Sequence, residues 1–130
     1  LVCSGMGLPT VHRALCAIYG LEYTEMPPAE MLDAAAKGNT FFLDLCRLRA
    51  RGVMSAVGDL ALANGGLGGV VLAGGVTERL LPYLLEEAAL ERFHSRGPMS
   101  DYLRDCPIHL MTDPAAPLIG AAALYLKDRI

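Results

Sequence analysis

A short apolar run with a pair of glycines at each end is the most constraining feature of this sequence. Gly68-Gly69 precedes the run Val70 to Ala73, and Gly74-Gly75 follows it. The run is too short for a helix and rich in β-branched residues, so it predicts a strand that is buried on both faces. Glycine weakens a strand unless the backbone needs a positive φ or another group comes very close. We therefore expect tight geometry at both ends.

Thr77 lies just beyond the second glycine pair and is predicted to cap a helix beginning at Glu78. The Glu78 carboxylate would favour the positive end of that helix dipole. Strand, glycine turn and helix then follow one another directly. In open α/β sheets, ligands bind at such junctions, beyond the carboxyl ends of the strands. The glycine turn is therefore a candidate binding site.

Composition narrows the class of protein. A chain of 130 residues with 53% apolar residues can bury the core of one domain. Eleven basic and fourteen acidic residues, without a basic block, argue against nucleic acid and anionic membranes as partners. The uncharged run from Leu60 to Thr77 contains Asn64 and six glycines, so no membrane-spanning helix is expected.

The four cysteines are widely spaced and form no C-x-x-C pair; they are Cys3, Cys16, Cys46 and Cys106. This spacing predicts reduced, mostly buried thiols in a cytoplasmic protein, with no metal ribbon or redox pair. The sequence begins at Leu1 in an apolar run that is typical of the end of a strand. We therefore expect a piece of a longer protein.

Apolar spacing, capping residues and prolines predict the remaining elements. The helices are expected from Pro9 to Gly20, Ala29 to Lys37, Phe41 to Ala63, Glu78 to His94 with a bend or break at Pro82, Ser100 to Arg104, and Leu118 to Leu126, with a second strand over Pro107 to Thr112. Asn39 or Thr40 is expected to cap the long helix and Ser100 the short one. The last helix is apolar all round and so needs neighbours on more than one side.

Two helices show a clear apolar face. Val11, Leu15 and Ile18 define it in the first helix, and the long helix repeats it through Phe42, Leu45, Cys46, Val53, Val57, Leu60 and Ala61. The basic cluster Arg47, Arg49 and Arg51 points in different directions on a helix, which favours a solvated rim over an anion site. The acidic side chains Asp33, Asp44, Asp59 and those between Glu78 and Glu91 are interpreted as ordinary helix-surface carboxylates.

No self-sufficient catalytic set is present in the sequence. His12, His94 and His109 are far apart and none has a partner at a recognisable spacing. The glycine-rich phosphate loop, the Gly-x-Ser-x-Gly elbow and the His-Glu-x-x-His zinc motif are all missing. The residues alone predict an α/β domain with a ligand-accepting glycine turn.

The run from Gly68 through Leu81 resembles the adenosine motif of bacterial glucokinases, members of the superfamily of sugar kinases, heat-shock chaperone ATPases and actin. Ser4-Gly5-Met6-Gly7-Leu8 resembles their Ser-Gly-x-Gly-Leu segment. Tyr102 through Gly120 resembles their carboxyl-terminal strand and closing helix. These segments occur in the family's order over essentially the whole chain, which makes the combination more specific than any one motif.

The resemblance implies the carboxyl-terminal part of a ribonuclease-H-like, actin-like ATPase domain, an α/β fold rich in helices with a few strands. Residues 1–116 would belong to the large domain, and residues 117–130 would form a closing helix that packs toward a small domain absent from this chain. The family's phosphate loop, catalytic aspartate and sugar-binding residues would all lie upstream of Leu1. No catalytic residue and no metal ligand is therefore assigned within the 130 residues.

The implied activity is the transfer of the γ-phosphate of ATP to the 6-hydroxyl of glucose, with Mg²⁺ bridging the phosphates. By similarity, Gly74 and Gly75 would let the backbone approach the adenosine, and Val76 and Thr77 would begin the adjoining helix. The implied partners are glucose, ATP and the missing amino-terminal domain, and a homodimer is compatible with the family. The chain alone is expected to bind nucleotide weakly at most.

Two alternatives remain open at the level of the sequence. Adenosine motifs are shared more widely than sugar sites, so another sugar kinase or an acyl-phosphate-forming kinase of the superfamily also fits. A non-catalytic nucleotide-binding or assembly module that kept the fold and lost activity is the second alternative.

Overall fold

The computed structural model describes residues 7–127. The elements in chain order are α1 (Gly7–Tyr19), α2 (Pro28–Ala36), α3 (Thr40–Asn64), β1 (Val70–Leu72), α4 (Gly75–Leu84), α5 (Glu87–His94), a 3₁₀ turn (Gly97–Met99), α6 (Ser100–Leu103), β2 (Ile108–Leu110) and α7 (Ala116–Lys127). The predicted strand end at Leu1 to Cys3 and residues 4–6 of the Ser-Gly-x-Gly-Leu segment lie outside the described residues. The predicted helices and the two predicted strands are otherwise present, with shifted ends.

The long helix α3 is the centre of the core, and α1, α2, α4 and α5 pack around it. The largest fully buried side chains come from each helix of this group and from α6; they include Leu8, Met31, Leu45, Met54, Leu80, Phe93 and Leu103. Because these side chains converge on one helix, they form a single hydrophobic cluster. The helices of this part of the chain are therefore held together mainly by the apolar face of α3.

The apolar faces are mostly as predicted, with two exceptions. Val11, Leu15, Phe42, Leu45, Cys46 and Ala61 are buried, whereas Ile18 is 74% exposed and Leu60 is 62% exposed. Leu60 is rotated about 100° from Ala61 around the helix axis, which takes it out of the face that meets the core. Ile18 lies in the last turn of α1, where the described residues provide no cover.

Capping residues set the ends of α3. Asn39 is the residue that caps it, because its Oδ1 accepts hydrogen bonds from the backbone N–H groups of Phe41 at 3.1 Å and Phe42 at 3.3 Å. The helix ends at Gly65, which has a φ of 62° and therefore takes the left-handed conformation that glycine adopts most readily.

The predicted helix from Glu78 to His94 is two helices, and the break lies at Leu85 and Glu86 instead of at Pro82. Pro82 stays inside α4, whose end is marked by the bond from Leu85 N–H to the Leu81 carbonyl. Glu86 is extended, and its carboxylate accepts two hydrogen bonds from Arg47 Nε at 3.0 and 3.1 Å. This contact with α3 holds the residue where the chain turns.

Ser100 does not cap α6, which is a further difference from the sequence prediction. Its hydroxyl accepts a hydrogen bond from Arg96 N–H at 2.8 Å and donates one to the Gly97 carbonyl at 2.9 Å. The side chain therefore stabilises the preceding 3₁₀ turn, and the first residue of α6 is Ser100 itself.

The predicted solvated rim of arginines is wrong for Arg49, which is 2% exposed on the inner side of α3. Arg47 is half-buried against Glu86, so only Arg51 of the three is exposed as expected. The sequence could not show this, because the position of the core around α3 depends on its neighbours.

The described cysteines are free and buried, as predicted: Cys16, Cys46 and Cys106. Burial raises the pKa of Cys46 to about 11, and this effect outweighs the opposing charges of Arg79 and Arg49. The thiol therefore stays protonated at neutral pH and behaves as a small apolar core residue.

The strands β1 and β2 pair in parallel, with Val70 opposite Ile108 and Leu72 opposite Leu110. β1 is not buried on both faces as predicted, because Val70 and Leu72 are half-buried while Val71 is 60% exposed. Successive side chains of a strand point to opposite faces. Within residues 7–127 only the face bearing Val70 and Leu72 packs on the core, which leaves the other face open.

Helix α7 lies apart from the core. Every residue of α7 after Ala116 is exposed, although the helix is largely apolar; Leu118 is 75% and Leu124 is 65% exposed. The predicted need of α7 for neighbours is therefore not met by residues 7–127.

Among the described residues, no helix combines the length and the apolar character needed to cross a bilayer.

The start of the strand pair gives a first prediction. Gly69 has a φ of 125°, and a Cβ there would lie 2.9 Å from Pro107 Cγ and 3.1 Å from the Pro107 carbonyl oxygen. We expect Gly69→Ala to lower the free energy of unfolding by about 2 kcal/mol, through backbone strain and this clash. Gly68→Ala is the matched control, since a Cβ at Gly68 has nothing within 4 Å. Equal urea midpoints for the two variants would contradict the prediction.

His12 gives a second prediction. Its ring is 5% exposed and lies among the rings of Tyr23, Phe41 and Phe42, with centroids 5.2 to 5.7 Å away. Nδ1 has no hydrogen-bond partner among the described residues. Burial lowers the pKa of His12 below its usual value of 6.5, because the charged imidazolium would lose its hydration.

Because the pKa of His12 is lower folded than unfolded, the unfolded chain binds the proton more readily below pH 6.5. The contribution of the neutral His12 ring to stability is complete above that pH, and it is lost as the pH falls toward the pKa of His12 in the folded state. We expect His12→Phe to remove this part of the pH dependence of the urea midpoint. His109→Phe, a change at an exposed position of β2, should retain it. If the urea midpoints of wild type and His12→Phe changed in parallel with pH, this pH dependence would not come from His12.

Candidate functional site

A cleft of about 400 Å³ lies at the edge of the sheet where β1 and β2 end. Because the strands are parallel, their carboxyl ends at Leu72 and Leu110 meet at this edge. Residues that follow both strands line the cleft, together with the start of α4 and of α7: Ala73, Gly74, Gly75, Glu78, Met111, Thr112, Asp113, Pro114 and Pro117. The predicted glycine turn is therefore one wall of a cleft whose other wall comes from the segment after β2.

The turn after β1 requires glycine at one position. Gly74 has a φ of 111° and a ψ of 145°, a conformation that residues with a side chain rarely adopt. Nothing lies within 4 Å of a Cβ placed on Gly74 or Gly75, so the turn presents bare backbone to an open space. This is the property that close approach of a ligand to the main chain requires.

The helix begins earlier than predicted, at Gly75 instead of Glu78, and Gly74 takes the position assigned to Thr77 as its cap. The backbone N–H groups of Thr77 and Glu78 already donate to the Gly74 carbonyl at 2.9 and 3.2 Å. The first N–H groups of α4, at Gly75 and Val76, have no partner within the helix. Of these two residues, Gly75 lines the cleft.

The four predicted site residues divide into two pairs. Gly74 and Gly75 line the cleft, and Val76 and Thr77 do not. Val76 is half-buried and packs against the hydrophobic cluster. The Thr77 hydroxyl donates to the carbonyl of Ala73 at 3.2 Å and so closes the turn between β1 and α4. The second pair supports the turn while the first pair faces the open space.

Two carboxylates in the cleft were missed by the sequence prediction. Glu78, interpreted as an ordinary surface carboxylate, extends from the first turn of α4 into the lining, and Asp113 follows β2. Asp113 Oδ1 accepts a hydrogen bond from Ala115 N–H at 2.8 Å, which shapes the turn before α7. The sequence did contain a signal for Asp113, because this residue follows the end of a predicted strand and ligands bind beyond the ends of parallel strands. The pairing of the two strands was not known from the sequence.

The charge of the cleft restricts what it can bind. Its lining contains two carboxylates and no basic side chain among the described residues. Carboxylates accept hydrogen bonds from hydroxyl and amino groups and repel phosphate oxygens. Within residues 7–127, no three His, Cys, Asp or Glu side chains converge as a metal ion would need. The cleft is suited to a neutral ligand that carries hydrogen-bond donors.

Comparison with known proteins points to one family. The glucokinase family model matches residues 1–128. A glucokinase of Chromobacterium violaceum is 37% identical over 98% of this chain and 36% of its own length. A glucokinase of Caulobacter sp. strain K31 is 36% identical over 96% of this chain and 38% of its own length, and a glucokinase-like protein of Xylella fastidiosa is 35% identical over 97% and 38%.

A solved structure gives the same result for the fold. The crystal structure of a glucokinase from an Antarctic psychrotroph superposes with a TM-score of 0.84 at 36% identity, over 93% of this chain and 38% of the other. The predicted α/β fold, rich in helices with a few strands, is thereby confirmed. The chain spans less than two-fifths of the length of these relatives. With the family model matched over almost all of its residues, the chain belongs to the glucokinase family.

Proposed function

We propose that this chain is the carboxyl-terminal part of an ATP-dependent glucokinase that transfers the γ-phosphate of ATP to the 6-hydroxyl of glucose. The family membership supports the reaction, and the cleft supports a role for these residues in nucleotide binding. The observation that carries the second point is the bare turn Gly74-Gly75 at the carboxyl ends of two parallel strands, opposite Thr112 and Asp113.

The adenosine end of ATP, and not its phosphates, is the part that fits this cleft. Glu78 and Asp113 can accept hydrogen bonds from the ribose hydroxyls and from the adenine amino group. The described lining has no basic side chain, which disfavours binding of the triphosphate. Gly74 and Gly75 would lie against the nucleoside because no side chain stands in the way. The phosphates would then extend out of the cleft.

Mg²⁺ belongs to the proposed reaction but not to the residues described here. The described residues bring no three ligating side chains together, so we assign none of them to the ion. Phosphoryl transfer relies on positioned groups and on a carboxylate that accepts the hydroxyl proton. In this proposal those groups, and the glucose site, lie in the part of the relatives that this chain does not match.

The exposed helix α7 has a place in this proposal. Residues 1–116 would form part of the large domain, and residues 117–130, which include most of α7, would pack against the small amino-terminal domain. Leu118, Ile119 and Leu124 are all more than half exposed, and burying them would stabilise the whole protein. We propose further that the protein is cytoplasmic, has no nucleic-acid or membrane partner and is able to form a homodimer.

A coupled assay of the full-length protein tests the function. ADP production is measured with ATP, Mg²⁺ and a panel of hexoses, and acetate is included as an acceptor for acyl-phosphate formation. We expect turnover that depends on glucose. Turnover with acetate or a different sugar alone would identify another kinase of the superfamily, and no turnover with any acceptor would indicate a non-catalytic module.

A further inference from the structure

A second cleft, of about 480 Å³, lies between α1, α3 and α5. It shares no described lining residue with the cleft at the glycine turn. All three helices contribute to its lining, which includes Val11, Ala14, Leu48, Arg51, Ser55 and Arg92. Its volume lies within the range of small-molecule sites, about 300–1,000 Å³.

The charged side chains lining this cleft are Arg51 and Arg92, and no carboxylate lines it among the described residues. Neither arginine forms an ion pair with a residue of the described part of the chain. Four other arginines do find a carboxylate: Arg47 with Glu86, Arg79 with Asp33, Arg96 with Asp59 and Arg104 with Asp101. Since acidic residues outnumber basic ones in this chain, two arginines in one cleft that form no ion pair within residues 7–127 are unexpected.

The surroundings of the two arginines favour an anion. Both arginines line the cleft, so an anion bound there would attract both positive charges and offset their mutual repulsion. Val11, Ala14 and Leu48 form an apolar wall, which lowers the local dielectric and strengthens attraction to the anion. Ser55 adds a hydroxyl that can donate to an oxygen of the ligand.

The two arginines come from different helices, which explains why the sequence did not reveal them as a pair. In the sequence Arg51 belongs to a cluster with Arg47 and Arg49, and those three do point in different directions. Arg92 reaches the same cleft as Arg51 only because α5 packs against α3.

We propose that this cleft binds a phosphorylated small molecule, with its phosphate held between Arg51 and Arg92. Guanidinium groups bind phosphate through paired N–H donors, and each such charged hydrogen bond is stronger than a neutral one. The apolar wall leaves room for the body of the molecule beside the phosphate. The proposal does not depend on the glucokinase reaction, because it rests on a separate cleft.

Isothermal titration of the full-length protein with glycerol 3-phosphate, and separately with inorganic phosphate, tests this site. We expect Arg51→Gln and Arg92→Gln each to raise the Kd for glycerol 3-phosphate about tenfold or more. Arg51→Lys, which keeps the charge but loses the paired donors, should give an intermediate Kd. Tighter binding of glycerol 3-phosphate than of inorganic phosphate would show that the cleft also contacts the organic part of the molecule.

Arg13→Gln is the matched control, because Arg13 is an exposed arginine of α1 that does not line the cleft. It should change the Kd less than twofold. The proposal is overturned if the wild-type protein does not bind glycerol 3-phosphate, if neither Arg51→Gln nor Arg92→Gln weakens binding, or if Arg13→Gln weakens it as much. Thermal melting of each variant verifies folding, and since Arg51 and Arg92 are both exposed we expect wild-type melting.

Discussion

Replacing Gly58 with valine is expected to lower the free energy of unfolding by about 3 kcal/mol, because α3 and α5 touch at this glycine. A Cβ on Gly58 would lie 2.9 Å from the carbonyl oxygen of Phe93 and would collide with Arg96 Nη2. That guanidinium is largely buried and donates to the Ser55 carbonyl at 2.6 Å. A side chain at Gly58 would therefore separate the two helices or expel Arg96 from its contact.

The matched control for this prediction is Ala63→Val, which places the same side chain at an exposed position of α3. It should cost about 0.5 kcal/mol or less, the difference in helix propensity. Urea unfolding of both variants measures the contrast. In a double-mutant cycle, Gly58→Val with Arg96→Ala should lose less than the sum of the single changes, because the collision with the guanidinium is gone. Strict additivity would show that the contact at Gly58 does not involve Arg96.

Replacing Gly75 with valine is expected to weaken ATP binding by the full-length protein about tenfold or more, with glucose affinity nearly unchanged. This expectation rests on the proposed adenosine site. Gly75 lines the cleft and has no positive φ, so valine can adopt its backbone conformation while filling space that the nucleoside would occupy. A tenfold loss of affinity corresponds to about 1.4 kcal/mol of binding free energy.

Gly74→Val should also weaken ATP binding with little effect on glucose, but it combines two effects. A valine at a φ of 111° strains the backbone, so the turn itself would change. Gly75→Val separates crowding from strain, and Gly68→Val, distant from the cleft lining, is the control. Titration with ATP and with glucose measures both affinities. If Gly75→Val leaves the ATP affinity unchanged, the adenosine does not bind at this turn.

Much of the local structure was predictable from the sequence because it depends on neighbours in the chain. The Asn39 side chain caps α3 through the amides of Phe41 and Phe42, and the α3 face of Phe42, Leu45 and Cys46 follows from helical periodicity. The apolar run and its glycines also predicted β1 and the turn after it. These features were confirmed with end shifts of a few residues.

Other features depend on which elements meet, and no pattern along the chain encodes that directly. Arg49 and Arg51 are two residues apart, yet one is buried and the other is exposed, because the core lies on one side of α3. Glu86, at the break between α4 and α5, bonds to Arg47 on another helix. Asp113 lines the cleft because β2 pairs in parallel with β1.

The sequence by itself determined the family, the order of the elements and the bare turn at Gly74, since these follow from local motifs and from the steric freedom of glycine. The tertiary structure alone decided what faces that turn. Parallel pairing brought the end of β2 beside the end of β1, and so joined Gly74 and Gly75 with Glu78 and Asp113 in one cleft. The physical reason is that strand pairing and helix packing join residues far apart in the chain, through contacts whose partners the local sequence does not specify.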